Sequence, residues 1–173
     1  MAIFLDTGIF VAARNNRNSN HARASELLER ALKREFGTVY TSDYIVDEAV
    51  TTALFRTNNH EIAANVGRLA LGSPRVETLY TGVAVFRSSC ERFQKLGRRP
   101  MSFTDCVSLT HMERRGVDKI MSFDSDFDGF RGEGTLTPWQ ADLELFPKLS
   151  SCRRLGSRPS GPVRDSSPHS SPT

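Results

Sequence analysis

Two rhythms of apolar residues alternate along this chain. Ala2-Ile3-Phe4-Leu5 is a continuous apolar run ending at Asp6, which predicts a buried strand over residues 2–6. Thr7 to Ala13 reads as a short helix. From Ser19 to Phe36 the apolar positions Ala22, Leu27, Leu28, Ala31 and Leu32 recur at helical spacing, with Ser19 or Asn20 placed to cap the start and Gly37 following the end. Thr38-Val39-Tyr40-Thr41 is a short strand. A helix capped by Asp43 then runs to about Arg56, with Ile45, Ala49, Val50 and Ala53 facing inward. Another spans about Glu61 to Leu71 and stops at Gly72-Ser73-Pro74. Val76 to Tyr80 alternates as a strand. Helices follow over 84–96 and 104–115, each ended by a glycine, with a strand at Lys119 to Phe123 and an edge strand at 135–138. Strands that alternate with helices predict βαβ units and an α/β fold on a parallel sheet.

The rhythm stops after Phe146. Serine, proline and arginine dominate there, and five of the eight prolines lie in that stretch. Such a segment buries too little apolar surface to fold alone. The expected organisation is therefore one domain over 1–146 and a disordered tail over 147–173. The net charge of +3 also resolves into two parts, because the tail carries five basic residues against Asp165 alone. The domain itself is close to neutral. No apolar run approaches the roughly 20 residues of a membrane span. The first residues lack the basic region of a signal peptide. Three cysteines without C-x-x-C spacing make a disulfide framework or a zinc site a poor expectation, and a reducing cytoplasm fits them. Cys90 and Cys106 fall in helical patterns and read as small buried hydrophobes.

The chemistry lies in acids. A parallel sheet collects all its strand C-termini on one edge, where ligands bind. Asp6 and Asp124 end strands at that edge, while Glu48 and Asp105 lie in early turns of helices leading from it. Each has an ordinary explanation. Asp6 suits the N-cap of the first helix, Asp105 suits a capping box with Ser102, Glu48 suits a solvated helix face, and Asp124 suits an Asx turn. Asp47 is only ~100° from Glu48 around the helix and competes with it. Asp126 and Asp128 compete with Asp124. Capping accounts for these acids singly, but not for their convergence. Two like charges ~4 Å apart repel by about 4 kcal/mol at an effective dielectric of 20. A cluster of four predicts a bound Mg²⁺ or Mn²⁺ and hydrolysis of phosphate esters.

Four stretches in order carry a specific resemblance: Ile3-Phe4-Leu5-Asp6-Thr7-Gly8, Thr41-Ser42-Asp43-Tyr44-Ile45-Val46-Asp47-Glu48, Ser102-Phe103-Thr104-Asp105-Cys106 and Ile120-Met121-Ser122-Phe123-Asp124-Ser125-Asp126-Phe127. Over about residues 1–140 the chain resembles PIN-domain ribonucleases, most closely the VapC-type toxins of bacterial toxin–antitoxin modules. The resemblance implies a three-layer α/β/α sandwich around a twisted, mainly parallel sheet. It makes Asp6, Glu48, Asp105 and Asp124 the catalytic, metal-binding acids. Asp6 and Asp105 are expected to hold Mg²⁺ or Mn²⁺ directly, and Glu48 and Asp124 directly or through water. Ser122 matches a supporting hydroxyl residue two positions before the fourth acid, and Thr7 and Asp126 are placed to support the site. The implied reaction is endonucleolytic cleavage of RNA leaving a 5′-phosphate and a 3′-hydroxyl. The implied partners are a small antitoxin, whose tail blocks the acidic pocket, and a second copy of the chain.

RNA needs cationic contacts. Arg14 and Arg17, past the first helix, and a group of Arg87, Arg92, Lys95, Arg98 and Arg99 are the candidates, against the reading that they form solvated, ion-paired faces. Phe4, Phe10, Phe36, Phe55, Phe93 and Phe123 are expected in the core rather than in stacking on bases. His111 lies ~240° off the face of Asp105 and is expected outside the acid cluster. His21 and His60 read as surface residues. Among other readings, a haloacid-dehalogenase-like phosphatase needs a second acid where Gly8 stands. A receiver-like domain needs adjacent early acids, and only Leu5 precedes Asp6. A standalone RNA-processing nuclease and a non-catalytic PIN scaffold remain as alternatives.

Overall fold

A computed structural model places β1 (Ala2–Leu5) inside a four-stranded sheet of order β3-β2-β1-β4, with every neighbour parallel. It describes residues 1–97 and 101–129, the last two by backbone only. The expected strand at 135–138 and the tail over 147–173 lie outside the described residues. The other strands are β2 (Thr38–Ser42), β3 (Val76–Leu79) and β4 (Ile120–Met121). Ile3, Phe4 and Leu5 are all fully buried. Successive strand side chains point to opposite faces, so both faces of β1 are covered. This is the α/β sandwich that the alternation of strands and helices predicts.

Six helices make the covering layers: α1 (Thr7–Arg14), α2 (His21–Leu32), α3 (Asp43–Thr57), α4 (His60–Gly72), α5 (Val83–Lys95) and α6 (Phe103–Arg115). α1 packs on α2, α3 and α4. α5 packs on α6, and α3 reaches α6 as well. Parallel pairing brings Leu5 beside Met121 and Ser42 beside Leu79, so the strand ends share one edge. The buried Thr41 hydroxyl donates to the Leu5 carbonyl and ties β2 to β1 at that edge. Among the described residues no helix is long and apolar enough to cross a membrane.

Several boundaries differ from the sequence pattern. α2 stops at Leu32 rather than Phe36. Arg34 takes a left-handed φ of 62° and Gly37 one of 86°, which turn the chain into β2. Lys33, Arg34 and Glu35 favour helix locally, but Phe36 is pulled into the core and covered by Arg30, 5.1 Å above its ring. Neither Ser19 nor the side chain of Asn20 caps α2; Asn20 holds the N-cap position without a side-chain bond. The α3 cap is Ser42, which accepts from the Ile45 N–H, while Asp43 turns to bond Thr81. β4 is two residues long rather than five. β1 ends at Leu5 and leaves no ladder beyond the bond from the Asp6 N–H to the Met121 carbonyl. Phe4, Phe10 and Phe36 are core residues, but Phe55 is 81% exposed and Phe93 46% exposed, because both sit on outward helix faces. Cys106 is buried and Cys90 only half-buried.

Candidate active site

Asp6 leaves β1 just where α1 begins. It occupies the α1 N-cap position but makes no side-chain capping bond. Its carboxylate instead accepts from the Ser122 hydroxyl at 2.5 Å, across the end of β4. Asp6 is almost fully buried. Its pKa is raised to about 6, first by burial, against the lowering effect of the Ser122 bond and the Thr7 N–H, and with the negative charges of Asp105 and Glu48 adding to the rise.

Glu48 sits in the second turn of α3 and accepts from the Thr7 hydroxyl at 2.5 Å. Its pKa is raised first by burial, opposed by that hydrogen bond, and raised again by Asp105, Asp47 and Asp124. Asp47 points to solvent and does not line the hollow, which separates it from Glu48. Asp105 is buried at the start of α6 and does complete a capping box. The Ser102 N–H donates to its carboxylate at 2.7 Å, and its own N–H donates to the Ser102 hydroxyl at 3.1 Å. Its pKa is raised by burial and by Asp124 and Asp126, against the Ser102 bonds. Capping and membership of the acid cluster are therefore compatible in one residue. Asp124 is exposed. Its N–H donates to Ser122 Oγ, and its carboxylate accepts from the Asp126 N–H as an Asx turn.

Asp6, Glu48, Asp105, Asp124 and Asp126 thus line one hollow of about 440 Å³, together with Thr7 and Ser102. Ser122 stands behind it as a buried bridge between Asp6 and the Asp124 backbone. The side chain of Asp128 lies outside the described residues. Each buried acid feels at least one of the others, and each is raised by burial. Burial and like charge therefore both disfavour the ionised acids in this hollow. Among the described residues, no three His, Cys, Asp or Glu side chains stand in a ready-made ligand geometry. The donors still suit a hard ion such as Mg²⁺, which keeps several waters and needs only one or two carboxylates directly.

The cationic candidates fall elsewhere. Arg14 ends α1 and lines a separate hollow with Arg68 and Ser73. An eight-residue helix is ~12 Å long, so starting α1 at the acid edge carries its last residue away from it. Arg17 is exposed and does not line the acid hollow. Arg92 pairs with Glu113 at 2.5 Å beside a larger hollow between α5 and α6, in line with the ion-paired reading. Arg98 and Arg99 lie outside the described residues. His111 is buried 3.1 Å from the Thr81 hydroxyl and stays out of the acid cluster. His60 is exposed, whereas His21 is half-buried against the Ala12 carbonyl.

Sequence reasoning missed several wall residues, Gly8, Val11 and Ser125 among them. Thr52 and Arg56 line the hollow from α3, and half-buried Phe123 lines it from the segment after β4. The spacing of Thr52 and Arg56 from Glu48, four and eight residues along one helix, was the available signal.

A parallel α/β sheet with acids gathered at its strand ends defines the class of protein. Residues 3–133 match the PIN domain family, and the chain belongs to it. It is similar to the VapC ribonuclease of Archaeoglobus fulgidus, with 25% identity over 128 residues covering 73% of this chain and 80% of that protein. In fold it is similar to VapC20 of Mycobacterium tuberculosis, a toxin described as cleaving the sarcin–ricin loop. The TM-score is 0.65 and the identity 24%, over 73% of this chain and 92% of that one. VapBC-1 of nontypeable Haemophilus influenzae shares the fold at a TM-score of 0.53 and 16% identity, over 80% of this chain and 99% of that one.

Proposed function

We propose that this chain is a metal-dependent endoribonuclease and the toxin half of a toxin–antitoxin pair. The observation that carries the reading is the convergence of acids from four separate places in the chain on one hollow at the strand ends. Membership of the PIN domain family and the similarity to a VapC ribonuclease support the substrate. Asp6 and Asp105 are the proposed direct ligands, and Glu48, Asp124 and Asp126 complete the negative field. A Mg²⁺ or Mn²⁺ ion, when bound, supplies charge neutralisation at the phosphate and activates water for attack on phosphorus. Ser122 holds the Asp6 carboxylate in one orientation by its 2.5 Å bond, and Thr7 does the same for Glu48. The Ser102 capping box fixes Asp105 on the first turn of α6. The site would work in the cytoplasm, with a small antitoxin covering the hollow and a second copy of the chain as the second partner.

The deciding experiment incubates the purified chain with RNA in Mg²⁺, in Mn²⁺ and in EDTA. Cleavage is expected only with metal, leaving 5′-phosphate ends. Asp6→Asn and Asp105→Asn are expected to lower the rate at least about 100-fold while keeping the circular dichroism of the wild type. Normal cutting by either variant would remove the assignment. Tight RNA binding without cleavage in any metal would favour the scaffold reading instead.

A further inference from the structure

Among the described residues, the acid hollow has a single cation in its wall, Arg56. It shares α3 with Glu48 and Thr52. At ~100° per residue, Thr52 and Arg56 are turned ~40° and ~80° from Glu48, so all three lie on one side of the helix. Arg56 stands ~12 Å beyond Glu48 along the axis. Helical side chains lean toward the helix N-terminus, so Arg56 leans back over Thr52 toward the acids.

A further observation is that this arginine makes no direct bond to the acids. No described residue forms a hydrogen bond or ion pair with its guanidinium. At the other hollows Arg92 is paired with Glu113 and Arg68 donates to Asn65. Arg56 is exposed and keeps its donors available at the rim of a strongly negative site.

A polyanion entering that site faces a problem. The carboxylates repel every phosphate except the one a cation neutralises. A strand crossing the hollow therefore needs positive charge beyond the reacting centre. We propose that Arg56, with the Thr52 hydroxyl beside it, forms a phosphate subsite that holds an RNA phosphodiester flanking the scissile one and fixes the strand's direction along α3. A guanidinium suits this because its planar fork binds two phosphate oxygens at once. This subsite rests on the ribonuclease reading above and adds to it a flanking backbone phosphate as the recognised feature. The competing role for Arg56 is purely structural, a cation in the last turn of α3 complementing the helix dipole.

The test uses the full chain and a fluorescein-labelled single-stranded RNA carrying a mapped cleavage site. Binding is followed by anisotropy over a KCl series in Mg²⁺, with Asp6→Asn present to stop cleavage. Adding Arg56→Gln is expected to flatten the slope of log K against log salt by about 0.7, the share of one phosphate contact on a single strand. Adding Arg56→Lys instead is expected to keep the slope and lose part of the affinity, because charge remains but the fork is gone. In the cleaving chain, Arg56→Gln should raise KM roughly tenfold, more than it lowers kcat. A dipole role alone would shift the melting temperature and leave the slope unchanged, which would overturn the proposal. If the wild type fails to cut RNA in either metal, the ribonuclease reading fails and this subsite with it. If it cuts, and Arg56→Gln leaves both slope and KM as they were, the subsite alone is wrong.

Discussion

Asp6 combines near-complete burial with a single strong hydrogen bond, and its energetics follow from that pair of facts. Its pKa rises from the ordinary 3.8 to about 6 in the folded chain. Between those values the unfolded chain has released a proton that the folded chain still holds. Raising the pH through this window therefore favours unfolding, and the penalty is complete above the folded pKa. A shift of this size corresponds to ~3 kcal/mol. Metal-free protein in EDTA is expected to lose stability in urea between about pH 4 and pH 7, with Glu48 and Asp105 contributing in the same direction. Asp6→Asn should show a clearly weaker decline. Parallel pH profiles for the two proteins would mean that Asp6 is not held as the geometry indicates. At this scale the sequence was informative about which acids converge, because strand ends and helix starts announce themselves. It could not choose between Asp47 and Glu48, since neighbours on a helix differ only in which one the core-facing stripe carries inward.

Among the elements, the turn from α2 into β2 shows how tertiary demand overrides local preference. Residues 33–36 read as helix, yet the chain must reverse to lay β2 beside β1. Gly37 makes the reversal at φ 86°, where a Cβ would stand 2.0 Å from the Met1 carbonyl oxygen. That carbonyl accepts from the Thr38 N–H and sets the β1–β2 register. Gly37→Ala is expected to cost at least about 2 kcal/mol, through both the left-handed φ and the clash. Urea unfolding would measure it, and an unchanged midpoint would show that the turn can relocate. α1 teaches the reverse lesson about function. It starts at the acid edge with Thr7 and ends at Arg14 beside a different hollow, so closeness in sequence did not bring Arg14 to the site. Arg56, fifty residues from Asp6 in the chain, is in the wall because α3 runs along it.

The whole molecule holds its acids together at a cost that burial and mutual repulsion both impose. An ion that binds only the folded arrangement should repay part of it. At 100 times its Kd, such an ion adds about 2.7 kcal/mol of stability. Mg²⁺ or Mn²⁺ titrated into the chelator-treated protein at neutral pH is expected to raise the melting temperature. The rise should be much smaller in Asp6→Asn and Asp105→Asn. A wild type indifferent to both ions would contradict the proposed metal site directly. The two chemistries of the hollow among the described residues, acids inside and one arginine at the rim, also predict opposite mutational effects. Removing an acid should abolish turnover, whereas removing Arg56 should weaken the hold on the strand.

The amino-acid sequence by itself determined the alternation of strands and helices, the parallel sheet it requires and the four acids stationed at the edge where its strands end. These follow from local periodicity and from the rule that parallel strands finish on one side. The tertiary structure decided what depends on distances between remote parts of the chain. It put the Ser122 hydroxyl on Asp6 and the Thr7 hydroxyl on Glu48, turned Asp47 to solvent, left Phe55 and Phe93 outside the core and set Arg56 rather than Arg14 in the wall of the hollow. Periodicity specifies which face of a helix is apolar, but only packing against its neighbours specifies where along the molecule that face ends.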